Sequence, residues 1–171
     1  MNILYKNIIF TLTLSMCASS WAADKSLSFS GTLVDSPSCD LQDISPVDFN
    51  TVETKKLIAG VYSKSITIVL KNCNAQTNKA KLSLGGAANT NGYLELDANS
   101  AADGFHLKFT DPDNSDALVE VGGSAENYTI QPSQDNTLNL DVMLVADDPN
   151  DVAKLTAGSF TATATVTVDF E

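Results

Sequence analysis

Gly158-Ser-Phe-Thr-Ala-Thr-Ala-Thr-Val-Thr-Val-Asp-Phe-Glu171 is the stretch that decides the fold. Phe160, Ala162, Ala164, Val166, Val168 and Phe170 fall on one face of an extended chain, and Thr161, Thr163, Thr165, Thr167 and Asp169 on the other. A period of two residues is what a strand with one buried side requires. The alternation runs to an aromatic one residue before the last, so the terminal strand is written to be held rather than to fray.

Upstream, the chain reads as a train of short strands. Leu138, Leu140, Val142 and Leu144 mark a long one just before the final strand. Ser65-Ile-Thr-Ile-Val-Leu70 is another strong strand, and Lys81-Leu-Ser-Leu84, Tyr93-Leu-Glu-Leu96, Phe105-His-Leu-Lys-Phe109, Leu118-Val-Glu-Val121 and Tyr128-Thr-Ile130 follow it. Val47 to Val52 alternates over a short span, and Lys25, Leu27, Phe29, Gly31 and Leu33 share one face near the other end of the chain. Gly85-Gly86, Asn91-Gly92, Asp111-Pro-Asp-Asn114 and Gly122-Gly123 separate the strands with residues suited to turns. No segment has helical period over a helix's length. Strands at this spacing predict an all-β antiparallel sandwich.

The first residues read as a processing signal. Lys6 supplies a positive start, Ile8 to Met16 an apolar core too short to span a bilayer, and Ser20-Trp21-Ala22 a small-x-small cleavage site. Residues 1–22 are therefore assigned to a signal peptide, and Cys17 leaves with it. Lipidation at Cys17 is disfavoured by Met16, where a small residue is needed. Residues 23–171 suit one domain able to bury a real core.

With Lys6 gone, nine lysines face twenty-one acidic residues and there is no arginine, a formal charge of −12. Such a chain has no basic stripe for phosphates, which argues against nucleic acid and anionic membrane surfaces. No later apolar run suggests membrane insertion. In an exported chain the two remaining cysteines, Cys39 and Cys73, are read as one disulfide.

Little in the sequence carries reaction chemistry. His106 is the only histidine and alternates opposite Phe105 and Phe109, on the wetter face. Asp111 to Asp116 lacks the glycine and closing glutamate of a calcium loop, and is read as a solvated turn, as is Asp147 to Asp151. No nucleophile elbow, metal cluster or cofactor motif is present, so neither an enzyme nor a cofactor is expected.

The signal peptide, Phe29-Ser-Gly-Thr-Leu-Val-Asp-Ser-Pro-Ser-Cys39, Val47-Asp-Phe49, a second cysteine at a strand's end, and Gly158 with alternation to a penultimate aromatic together resemble a fimbrial subunit of the chaperone–usher pathway. The resemblance implies an incomplete immunoglobulin-like sandwich, completed first by a periplasmic chaperone and then by a donor strand from the next subunit, with export through an outer-membrane usher to a surface fimbrium. It implies that Gly158, Phe160, Ala162, Ala164, Val166, Val168 and Phe170 form the groove edge that meets the chaperone, whose basic cleft would take Glu171. Lys25, Leu27 and Phe29 would lie in a donor segment over residues 23–30, ahead of a pilin domain over 31–171. Cys39 and Cys73 match the family disulfide.

Two features depart from the usual pattern. Phe170 stands where tyrosine is common, and the stretch before Phe29 is short and lacks glycine. The second departure points to a minor or adaptor subunit. An alternative is a single-domain adhesive tip protein binding a glycan, for which Tyr62, Tyr93 and Tyr128 are the aromatic candidates.

Overall fold

The computed structural model describes Ser28, residues 30–33 and residues 36–171. The expected signal peptide and the donor residues Lys25, Leu27 and Phe29 lie outside the described residues. The chain divides into two units, Met1–Leu33 and Val34–Glu171. In the first, residues 30–33 carry no regular secondary structure.

The second unit holds, among the described residues, eight strands: β1 Asp40–Leu41, β2 Ser63–Lys71, β3 Lys79–Gly85, β4 Phe105–Asp111, β5 Ala117–Val119, β6 Glu126–Thr129, β7 Asn136–Ala146 and β8 Thr165–Phe170. A short α-helix, α1, spans Thr54–Ile58. The strands form two antiparallel sheets, ordered β1-β2-β7-β4-β5 and β6-β3-β8. Alternating burial along β4 and β7 turns Phe105, Leu107 and Phe109, with Leu138, Leu140, Val142 and Leu144, into the space between the sheets. There they meet Ala80, Leu82 and Leu84 of β3. The expected sandwich is what these periodicities build.

Several elements differ from the sequence reading. Val47 to Val52 forms no strand, because no neighbouring ladder accepts it, and α1 follows, burying Leu57. Tyr93 to Leu96 contributes only isolated bridges through Leu94, to Ala88 and Leu107. Asp111 is buried rather than solvated, at 5% exposure, and its carboxylate accepts the N–H groups of Asp113 and Asn114 to cap a short 3-10 turn.

Cys39 and Cys73 are disulfide-bonded across a sequence separation of 34. Beside them Thr77 is fully buried, which its hydroxyl permits by accepting Ser38 N–H at 2.6 Å and donating to Asn74 Oδ1 at 2.6 Å. Asn74 N–H also donates to the Ser38 carbonyl. The bond is thus embedded in a small polar knot that ties the start of the domain to the end of β2.

Candidate functional site: an apolar groove beside the terminal strand

β8 is an edge strand. It pairs with β3 from Ala80↔Phe170 to Gly85↔Thr165, and β3 pairs with β6 on its other side. The chain before it, from Gly158, is extended against residues 97–102: Asp97 N–H donates to the Thr161 carbonyl, and Ala101 and Ala102 N–H to that of Ser159. Lys79 and Glu171 exchange both backbone bonds. Odd-numbered residues therefore direct their peptide groups into the body of the protein. By the alternation of an antiparallel strand, even-numbered residues direct theirs to the open edge.

The even-numbered residues also own the inward side chains. Phe160, Ala162, Ala164, Val166, Val168 and Phe170 are all half-buried, none fully. Along Phe160, Ala162, Ala164 and Val166 lies a groove of about 330 Å³, floored by Ile66, Leu84, Leu94, Leu107, Phe109, Leu140 and Val142. Its far wall is Ile44, Pro46, Val47 and Phe49. This wall is anchored by Gln42 N–H on the Val69 carbonyl and by buried Phe49. Between these anchors, residues 43–48 make no backbone–backbone hydrogen bond among the described residues.

At one end the groove is closed by the Phe160 ring, edge-on to Phe105 with centroids 5.0 Å apart. Beyond it lies a smaller apolar pit of about 70 Å³ lined by Val52, Leu57, Phe105, Leu155 and Gly158. At the other end Asp43 and Ser45 form a polar rim beside Ala164 and Val166. Gly158 is required by close approach: a Cβ there would lie 2.7 Å from the Ala101 carbonyl carbon and 2.8 Å from Ala102 N.

The structure thus brings Gly158, Phe160, Ala162, Ala164, Val166, Val168 and Phe170 together on one edge. Glu171 ion-pairs with Lys81 at the end of that edge, and this ammonium holds the Glu171 carboxyl below its ordinary range. The far wall is not legible as such in the sequence, where only its Val47 and Phe49 fall in a short alternating segment.

Of the aromatic candidates, Tyr62 and Tyr128 are partly buried against the core. The Tyr62 hydroxyl accepts Glu53 N–H at 2.8 Å, and Tyr128 faces inward with a buried hydroxyl that has no hydrogen-bond partner among the described residues. Burial, then the nearby Asp111 carboxylate, raises the Tyr128 phenol well above its usual range. His106 pairs with Asp147. No group of three metal-ligating side chains occurs among the described residues, and none of their helices is long and apolar enough to cross a membrane.

Residues 27–171 match the fimbrial protein family. An uncharacterized fimbrial-like protein of Escherichia coli K12, YfcP, is 31% identical over 169 residues, covering 93% of this chain and 90% of that protein. Among solved structures, the P pilus rod subunit PapA superposes with a TM-score of 0.63 at 19% identity, covering 78% of this chain and 99% of PapA. The antigen and type I fimbria protein of Burkholderia pseudomallei gives 0.54 at 26% identity, with 77% and 87% covered. The chain belongs to the fimbrial protein family: it is a structural protein with an immunoglobulin-like sandwich and not an enzyme.

Proposed function

We propose that this subunit is assembled by donor-strand exchange, its groove receiving one extended strand after another. The observation that carries this is the open edge of β8, where the same even-numbered residues offer half-buried apolar side chains and outward peptide groups. An incoming strand satisfies both at once. A periplasmic chaperone supplies the first strand, and an outer-membrane usher then directs its replacement by the segment of a neighbouring subunit. In this reading residues 1–22 are removed on export, residues 23–30 donate, and residues 31–171 form the domain that accepts. Lys25, Leu27 and Phe29 enter the neighbour's groove. The short segment, without glycine ahead of Phe29, favours a minor or adaptor place in the surface fimbrium.

Deletion of Ala23 to Phe29 tests the reading. The shortened chain is expected to be recovered with its chaperone in normal yield, yet to stop assembly at the next subunit. Onward polymerisation of that variant would sink the donor assignment. In the same assay Phe170→Ser is expected to lower recovery of the chaperone complex.

A further inference from the structure

The hairpin between Ala88 and Leu94, which meet in an isolated antiparallel bridge, carries Asn91 and Gly92 at its tip. Among the asparagines of residues 23–171, Asn91 alone is followed by glycine. Asn91 is exposed, and it enters hydrogen bonding through its backbone N–H while its side-chain amide has no partner among the described residues. Gly92 has a φ of +74°, which glycine adopts without strain, and with no Cβ it leaves its main-chain nitrogen open to the preceding side chain.

One residue holds this tip shut. The Asn89 side-chain oxygen accepts the N–H groups of Asn91 at 2.9 Å and Tyr93 at 3.1 Å, and the Asn89 carbonyl accepts that of Gly92 at 3.0 Å. A short polar side chain bonded to the backbone a few residues on is what fixes a turn of this kind. The Gly92 nitrogen is therefore occupied while the turn is closed and free when it opens, and opening an exposed tip costs far less than unfolding the domain.

We infer that Asn91 is a site of spontaneous deamidation, with Asn89 as the latch that sets its rate. In the open turn the Gly92 nitrogen gives its proton to hydroxide and bonds to Asn91 Cγ; the Cγ–Nδ2 bond breaks, and Nδ2 leaves as ammonia with a proton taken from water. Water then opens the five-membered imide at one of its two carbonyls, yielding aspartate or isoaspartate. Nothing is oxidised or reduced, and the net exchange is one water for one ammonia. Either product sets a negative charge beside Gly92, against which the Glu120 stem packs so closely that a Cβ on Gly92 would lie 2.8 Å from Glu120 Cγ. Isoaspartate also adds a methylene to the main chain ahead of Gly92, whose carbonyl accepts Val121 N–H at 2.9 Å. Val121 is a core residue, so the modification at the tip reaches the packing between the sheets.

Ageing the folded mature chain in mildly alkaline buffer, cutting it after lysine and mapping residues 82–108 by mass spectrometry tests the assignment, because that fragment holds Asn89, Asn91 and Asn99 together. A gain of one mass unit is expected at Asn91 roughly tenfold faster than at Asn89 or Asn99, neither of which precedes glycine, with part of the product identified as isoaspartate by electron-transfer fragmentation. Asn89→Ala, which removes both side-chain bonds, is expected to speed conversion roughly threefold or more, and Asn89→Asp, which keeps an acceptor oxygen, to restore a rate near wild type. Should Asn89→Ala lose its native circular dichroism, the wild-type chain in urea takes its place and is expected to convert faster than the folded chain by the same factor. Conversion at Asn91 no faster than at Asn99 would overturn the site. Equal rates in the folded wild type and the opened turn would overturn the latch.

Discussion

Gly158 shows how one residue sets the groove. Its backbone is not in the left-handed region; what it provides is the absence of a side chain where the chain crosses Ala101 and Ala102. Gly158→Ala forces a Cβ into backbone atoms that cannot rotate away, an overpacking that typically costs about 1–3 kcal/mol. The expected outcome is a loss of stability in that range by chemical denaturation, with the largest shifts in an NMR spectrum at residues 100–102 and 158–160. Sequence alone marks this glycine by its place before an alternating run. The reason for it is a contact between residues far apart in the chain, which no local pattern displays. Asp111 was illegible for a related reason: it reads as a turn residue, and only the fold shows that its hydrogen bonds make burial tolerable.

At the scale of the element, β8 was legible almost entirely, because its period is uninterrupted and its polar face is nearly all threonine. The far wall was not. An alternating segment becomes a strand only when a ladder meets it, and Val47 to Val52 meets none among the described residues. The edge predicts a pattern of hydrogen exchange in the unpolymerised protein. Amides of Val166, Val168 and Phe170 are expected to exchange faster than those of Thr165, Thr167 and Asp169, and binding of a strand should slow the even set selectively. Uniform protection along β8 in the free protein would contradict the assigned alternation.

The Lys81–Glu171 pair belongs to the same element. The Glu171 pKa is lowered by Lys81, so the pair stabilises the folded protein above the ordinary carboxyl value of 4.5, and that contribution is lost as pH falls through the lowered one. Both groups are well exposed, so the effect is small and screened by salt. Lys81→Met should be slightly less stable than wild type at neutral pH, and the difference should vanish once the medium is acidic enough to protonate Glu171 in the folded state, as denaturation curves across that range would read.

For the whole molecule, the disulfide is the strongest single constraint. Its sequence separation of 34 corresponds to roughly 3–4 kcal/mol in the chain-entropy account. Reduction, or Cys39→Ser with Cys73→Ser, is expected to lower unfolding free energy by about that amount, measured in urea. The sandwich class followed from strand spacing and turn residues, whereas the order of strands in each sheet did not, since pairing partners such as β2 and β7 lie far apart in sequence.

The division of labour along β8 has a further consequence for fidelity. A newcomer slipped by one residue keeps its ladder only by turning its polar side chains inward and its apolar ones to water. A newcomer slipped by two recovers every backbone bond and every buried face, and only the sequence of volumes along the groove tells it apart. If the groove accepts a strand as proposed, odd errors are policed by polarity and even errors by shape, in a groove whose one end is closed by the Phe160 ring.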